Sequence, residues 1–198
     1  MMINGTNNIN NTNFKAKFVG KTEIKKLNTL KNEYEKYGVS FLEFDASNKK
    51  DLSAMKNISR YWCDSQYAWD IYQSAEAIFY EAINPKTNKV YLLTKQKDNF
   101  KKLKYDEVLG LADVETKQYE NGGDYLNIHR LQTNPDFLDK EQPFFKYIGT
   151  GILNILKSFN KVIDLNSVHS AMGFYENNGF VDLGTQLLRF RWTPDKLK

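Results

Sequence analysis

Residues 106–133 carry the pattern that most narrows what this chain can fold into. Two runs rich in apolar and β-branched residues flank Glu120-Asn121-Gly122-Gly123. Asn-Gly steps supply the positive φ angles that a tight reversal between antiparallel strands requires. The reading is a strand over 106–117, a turn, and a strand over 124–133 that ends at Asn134-Pro135. Strands of that length need a covered face, so the rest of the chain must supply helices or further strands.

Downstream, residues 149–159 predict a helix, with Ile152, Ile155, Leu156 and Phe159 on one stripe. A strand over 162–165, a helix over 168–177 stopped by Gly179, and a strand over 186–192 complete the C-terminal part. Upstream, 78–83 and 90–96 read as strands joined by the turn residues 84–88. Residues 51–73 read as one helix, with Leu52, Met55, Ile58 and Trp62 on one face. Residues 22–37 read as another, with Leu27, Leu30, Tyr34 and Tyr37 at helical spacing and Gly38 as the stop. Short strands are expected at 14–19 and 39–44. The first 13 residues include six asparagines and little that is apolar, and are read as a disordered or loosely docked tail. Residues 14–50 then form an N-terminal extension packed on a domain spanning 51–198. The fold class expected is α/β of the α+β type.

Composition restricts the function classes. With 41% apolar and 14% aromatic residues, the 198-residue chain has enough hydrocarbon for a core. No apolar run reaches the roughly 20 residues needed to span a bilayer, so no membrane role is expected. The single cysteine, Cys63, cannot form an intramolecular disulfide, and the N-terminus has no basic-then-apolar leader pattern; a cytoplasmic protein is expected. Two histidines and one cysteine make no metal site expected. The net charge of +4 is too small to point to nucleic acid by itself. The lysine-rich stretch 95–104 reads as a solvated loop, with contact to a phosphate backbone as the competing reading.

The segment Lys146-Tyr147-Ile148-Gly149-Thr150-Gly151 opens the helix at 149. The first N–H groups of a helix lack intrahelical acceptors, and the dipole end is positive, so such a start favours an anion. Glycine lets a ligand come close, and Lys146 adds charge at the edge. A structural helix start is the other reading. A dinucleotide fingerprint would want glycine at position 154, which is Asn154, and a P-loop would want Gly-Lys-Ser/Thr; both are absent. In the second segment, 170–180, Val168, Ala171, Met172 and Tyr175 share a helical face, and Gly179-Phe180 ends it.

Taken together, Lys-x-x-Gly-x-Gly, a strand, and then Ala-x-x-Phe-Tyr-Glu-x-x-Gly-Phe resemble the GNAT superfamily of N-acetyltransferases over residues 78–192. Residues 128–135, a strand running into a proline turn, resemble the family's splayed fourth strand. The resemblance implies a mixed, mostly antiparallel central sheet flanked by helices and splayed between the fourth and fifth strands. It implies acetyl-CoA as co-substrate, with backbone N–H groups of Ile148, Gly149, Thr150 and Gly151 on the pyrophosphate. It places Leu131 and Thr133 on the pantetheine arm and acetyl carbonyl, Asn166 on a pantetheine amide, and Tyr175 as the acid for the departing thiolate. A phenol of pKa ~10 suits a thiolate whose acid has pKa ~8.5. Lysine at 146 stands where the family has Arg or Gln, Val168 where many members have Asn, and the loop 135–145 is long. Its Phe137, Phe144 and Phe145 are read as part of a substrate wall.

For the general base, alternation puts Asn127, His129, Leu131 and Thr133 on one face, with His129 as the candidate and Glu115 and Asp124 as others. An ordinary sheet histidine is the competing reading. The function expected is transfer of acetyl to a primary amine of a small molecule or protein by direct attack. The alternatives are a toxin acting on aminoacyl-tRNA and a non-catalytic acyl-CoA-binding module. A homodimer is compatible with either.

Overall fold

A computed structural model describes residues 15–62, 66–96, 100, 105–137, 141–184 and 186–197. The elements in chain order are β1 (Lys17–Asn28), β2 (Glu33–Glu43), α1 (Lys49–Tyr61), α2 (Gln66–Phe79), β3 (Asn88–Thr94), β4 (Val108–Gln118), β5 (Asp124–Thr133), β6 (Phe145–Lys146), α3 (Ile148–Ser158), β7 (Val162–Asn166), α4 (Met172–Asn177), β8 (Val181–Asp182) and β9 (Arg189–Trp192). The strands form one sheet in the order β6-β1-β2-β3-β4-β5-β7-β9-β8. Only β5 and β7 run parallel; every other pairing is antiparallel.

The sheet buries both faces. On one face α3 seats Ile148, Ile152, Leu153 and Leu156 against Ile24, Phe41, Leu93, Ala112 and Ile128. On the other, α1 and α2 bury Met55, Ile58, Ile71 and Ala75 against Leu42, Leu92 and Leu111. The strand pattern follows from this: β3 and β4 read as nearly continuous apolar runs because both of their faces are covered. Gly110 on β4 permits the close approach of α3, since a Cβ there would lie 2.8 Å from Ile152 Cδ1 and 2.9 Å from Ile148 Cγ2.

The 106–133 hairpin is present with the expected turn, and Gly122 adopts φ +87°. The largest departure lies upstream. Residues 22–37 are not a helix but most of the β1–β2 hairpin. The helical spacing of Leu27, Leu30, Tyr34 and Tyr37 was coincidental: Leu30 is 97% exposed at the tip, and Gly38 pairs with Glu23 inside the ladder. Asn28 makes the turn by accepting from the N–H groups of Leu30 and Lys31, and Asn32 takes φ 54°. Pairing to the sheet overrode local propensity. Where one helix over 51–73 is expected, α1 ends at Tyr61 and α2 begins at Gln66; residues 63–65, Cys63 among them, lie outside the described residues. The strand expected at 78–83 is instead the end of α2 and a turn, so β3 pairs with β2 and β4 rather than with it. Residues 168–177 divide into the 3₁₀ turn His169–Ala171 and α4. The tail 1–13 lies outside the described residues, as does most of 95–104.

Asn48 caps α1 by accepting from Lys50 N–H at 2.9 Å, and Asp51 in its first turn reaches back to the start of β1. The Asp51 carboxylate is fully buried and accepts from Lys15 N–H at 2.8 Å and Asp45 N–H at 3.2 Å. Burial outweighs those two bonds and pushes its carboxyl up to about 6 from an ordinary value of 3.8. A raised pKa means that the folded state holds the proton more tightly. The stability this group lends is complete below about pH 3.8 and is lost as pH rises through about 6. The melting temperature of the natural protein, relative to that of Asp51→Asn, is therefore expected to fall across this window. A difference that stays flat across this window would show that Asp51 does not hold its proton more tightly in the folded state.

Candidate active site

The site is built where β5 and β7 part. Their parallel register runs from Tyr125↔Val162 to Ile128↔Leu165, and β5 continues for five residues without that neighbour. The cause lies on the other side of β5. The pairing with β4 passes from Val114↔Ile128 to Asp113↔Arg130, so His129 is an extra residue, a β-bulge. A bulge bends its strand and raises the local twist, which turns the end of β5 away from β7.

The bulge also corrects the facing expected from alternation. Leu126, Ile128 and Leu131 all pack on the α3 side. Asn127 and His129 lie on the other face, where His129 Nε2 is 2.9 Å from Glu115 Oε2 and the Asn127 amide nitrogen is 3.3 Å from His129 Nδ1. Leu131 and His129 thus do not share a face; the inserted residue shifts the alternation by one. Glu115 also pairs with Lys117 Nζ at 3.2 Å.

The gap between the strands is a cleft of about 100 Å³ lined by Ile128, His129, Arg130 and Leu131 of β5, Asn166, Ser167 and Val168 after β7, Ala171 and Tyr175, and Tyr67 of α2. Of the residues singled out from sequence, it brings together His129, Leu131, Asn166 and Tyr175. Tyr175 is 8% exposed and held by ring contacts to Phe174, Phe180 and Phe190 at 5.0, 5.7 and 6.0 Å. Its hydroxyl makes no hydrogen bond among the described residues. Burial, with Tyr67 nearby, pushes its phenol up to about 12.

The glycine segment forms the first turn of α3. Its cap, Tyr147, has φ 65° and offers no side-chain acceptor to the helix. The N–H groups of Ile148, Gly149 and Thr150 therefore have no intrahelical partner, whereas Gly151 N–H bonds Tyr147 O at 2.9 Å. Gly151 serves packing: a Cβ there would lie 3.1 Å from Ile24 Cγ2 and 3.3 Å from Thr22 Cγ2. Gly149 lets α3 approach α4, since a Cβ would come 2.8 Å from Phe174 Cζ. Lys146 pairs with Lys25 in the β6–β1 ladder, and its ammonium lies 4.2 Å from the centre of the Tyr34 ring. Thr133, outside the cleft lining, pairs with Gly110, and its carbonyl accepts from the Gln132 side chain at 2.6 Å. Phe137 and Phe145 do not wall the cleft. They stack edge-on at 5.1 Å in the α3-side core, with Phe144 edge-on to Phe145.

Sequence reading missed Arg130 altogether. Its place was hidden by the bulge, and only its tertiary partners on α2 and β4 reveal it. No group of three or more His, Cys, Asp or Glu side chains placed to hold a metal ion occurs among the described residues. No helix among them is long and apolar enough to cross a membrane.

No protein-family model matches the chain. No curated protein matches it in sequence. Solved structures match it in fold. AtaTR bound with acetyl-CoA superposes with a TM-score of 0.53 at 12% identity, over 80% of this chain and 95% of that one. Arabidopsis thaliana NAA60 in complex with a bisubstrate analogue gives 0.51 at 14% identity, over 79% and 99%. The Bacillus subtilis N-acetyltransferase YlbP, in complex with coenzyme A, gives 0.47 at 17%, over 74% and 91%. With the mixed, mostly antiparallel sheet, the bulged and splayed strand and the helix that follows it, the fold is that of the GNAT N-acetyltransferases.

Proposed function

We propose that the chain is an acetyl-CoA-dependent N-acetyltransferase that passes the acetyl group to a primary amine by direct attack. The observation that carries this reading is the opening between β5 and β7, with the buried phenol of Tyr175 on its wall and a hydroxyl free to act. The open N–H groups of Ile148, Gly149 and Thr150 suit the pyrophosphate, with Lys146 at the edge of that turn. Gly151, its N–H already bonded, contributes by packing. The unpaired edge of β5 at Leu131 and Thr133, together with Asn166, offers peptide-like hydrogen bonds to the pantetheine arm. The acetyl carbonyl lies against the same edge.

In the reaction the amine nitrogen forms a bond to the thioester carbon, the oxyanion collapses, and the C–S bond breaks. The amine loses a proton and the thiolate gains one. Tyr175 donates to the thiolate and recovers its proton from solvent. A phenol raised to about 12 is a weaker acid than a free one, but the same desolvation raises the basicity of a thiolate leaving in that cleft. His129, set against Glu115, takes the proton from the amine, directly or through water.

The first experiment is an acetyl-CoA titration by calorimetry, with CoA and NADH as comparators, followed by turnover on a panel of amines and on charged tRNA. Saturable 1:1 binding of acetyl-CoA, without NADH binding, is expected. Absence of binding would sink the proposal. Binding with no turnover on any acceptor would favour an acyl-CoA-binding module, and acetylation of charged tRNA alone would favour the toxin reading.

A further inference from the structure

Along one face, α2 meets the sheet through charge instead of hydrocarbon. Tyr67, Asp70 and Ser74 stand at i, i+3 and i+7, so they project from one face of the helix. That face meets Arg130 and Asp113. Arg130 Nε lies 3.3 Å from Asp70 Oδ2, and its Nη1 lies 3.2 Å from Asp113 Oδ2. Ser74 Oγ donates to the same Asp113 oxygen at 2.7 Å, and the other oxygen of Asp70 accepts from Gln66 Nε2 at 2.8 Å. Asp113 is 3% exposed. The Arg130 side chain is 33% exposed and that of Asp70 22%, and ion pairs that still meet solvent add little to stability, so stability does not account for this choice. What a satisfied polar network supplies is one fixed arrangement. Here that arrangement sits at the cleft, because Arg130 directly follows the bulge and Tyr67 precedes Asp70 by one helical turn.

The two helices cover opposite faces of the sheet, α3 on one and α2 on the other. If acetyl-CoA enters from the α3 side, the amine comes from the α2 side, where Tyr67 is the helix's contribution to the cleft. We infer that Arg130 is a positioning residue: clasped between Asp113 and Asp70, it seats α2 and so fixes Tyr67 as the wall against which the acceptor amine is held. The consequence for acceptors rests on the acetyltransfer reading; the placement of Tyr67 does not.

Asp70→Asn loosens Arg130 from α2 and leaves the buried Asp113 its partners, so the fold is retained. The amine probes are spermidine, a tetrapeptide with a free α-amine, and Nα-acetyl-lysine amide. For any probe acetylated, KM is expected to rise about tenfold in Asp70→Asn, with kcat within about twofold and acetyl-CoA affinity unchanged. Asp70→Glu should recover most of the loss. Tyr67→Ala should show the same rise, and the double variant no more than either alone, because both changes act through one wall. An unchanged KM, or effects that add, would overturn the inference.

A second readout needs no acceptor. In protein labelled with 3-fluorotyrosine, the ¹⁹F resonance of Tyr67, assigned with Tyr67→Phe, is expected to move toward a solvent value in Asp70→Asn and to return in Asp70→Glu. A resonance that stays in place refutes the clasp. Failure of the natural protein to bind acetyl-CoA would count against the proposed function alone, and the fluorine spectrum would still decide the clasp.

Discussion

Tyr175→Phe is expected to lower kcat by about 10²- to 10⁴-fold, the range typical for removal of a positioned proton donor. Acetyl-CoA affinity should change little, because the ring contacts to Phe174, Phe180 and Phe190 remain. The pH profile separates this from a packing effect. The phenol is pushed up to about 12, so it stays protonated through the neutral and mildly alkaline range. If the acetyltransfer reading holds, the natural protein should therefore show no loss of rate from Tyr175 until pH approaches that value, and an alkaline limb nearer neutrality belongs to another group. Steady-state kinetics on any acceptor found in the panel, with calorimetry on both proteins, tests the assignment. Full activity in the variant would take Tyr175 out of the chemistry.

The second large effect is expected at Gly149. A Cβ there would come within 2.8 Å of Phe174 Cζ and 3.2 Å of its Cε2, closer than side chains tolerate. Gly149→Val must push α4 away from α3, and Phe174 is the immediate neighbour of Tyr175. Overpacking of this kind costs about 1–3 kcal/mol, and here it also displaces the phenol and the open first turn of α3. Loss of acetyl-CoA binding and a lower melting temperature are expected together. Gly173 provides the contrast: it lies in α4, and a Cβ there would meet nothing within 4 Å. Gly173→Ala should leave binding intact and be neutral or slightly stabilising, by up to about 1 kcal/mol from helix propensity. If both substitutions behave alike, the close contact between α3 and α4 is not what the glycine is for.

Much of the region from β4 to β9 was legible, because its signals are local. The Asn-Gly turn, the apolar runs of β4 and β5, and the stripe of α3 each sit within a dozen residues and agree with one another. The N-terminal part was not legible. β1 and β2 are rich in lysine and glutamate, and their strand state comes from pairing with β3 and β6, which no local window reveals. Only Asn28 and Asn32, flanking the tip, hinted at the reversal. Of the residues that the motifs single out, Tyr175, Leu131 and Asn166 line one cleft. His129 lines it too, but not on the face that strict alternation assigns it, because it is an inserted residue. Arg130 was out of reach because its partners, Asp70 and Asp113, lie on two other elements.

The two-residue strand β6 has a consequence for how the protein is made. It pairs with β1 at Lys25 and Lys26, although more than half the chain separates them in sequence. During synthesis the β1–β2 hairpin emerges early and waits with one edge uncapped and its α3-side face uncovered until residues 145–156 arrive. Contacts so distant in sequence form slowly, and a waiting strand edge invites pairing with another nascent chain. The lysines at 17, 21, 25 and 26 line that strand, and β6 covers it only at Lys25 and Lys26, so like charge discourages pairing with another chain along the rest of the edge both before and after that segment arrives.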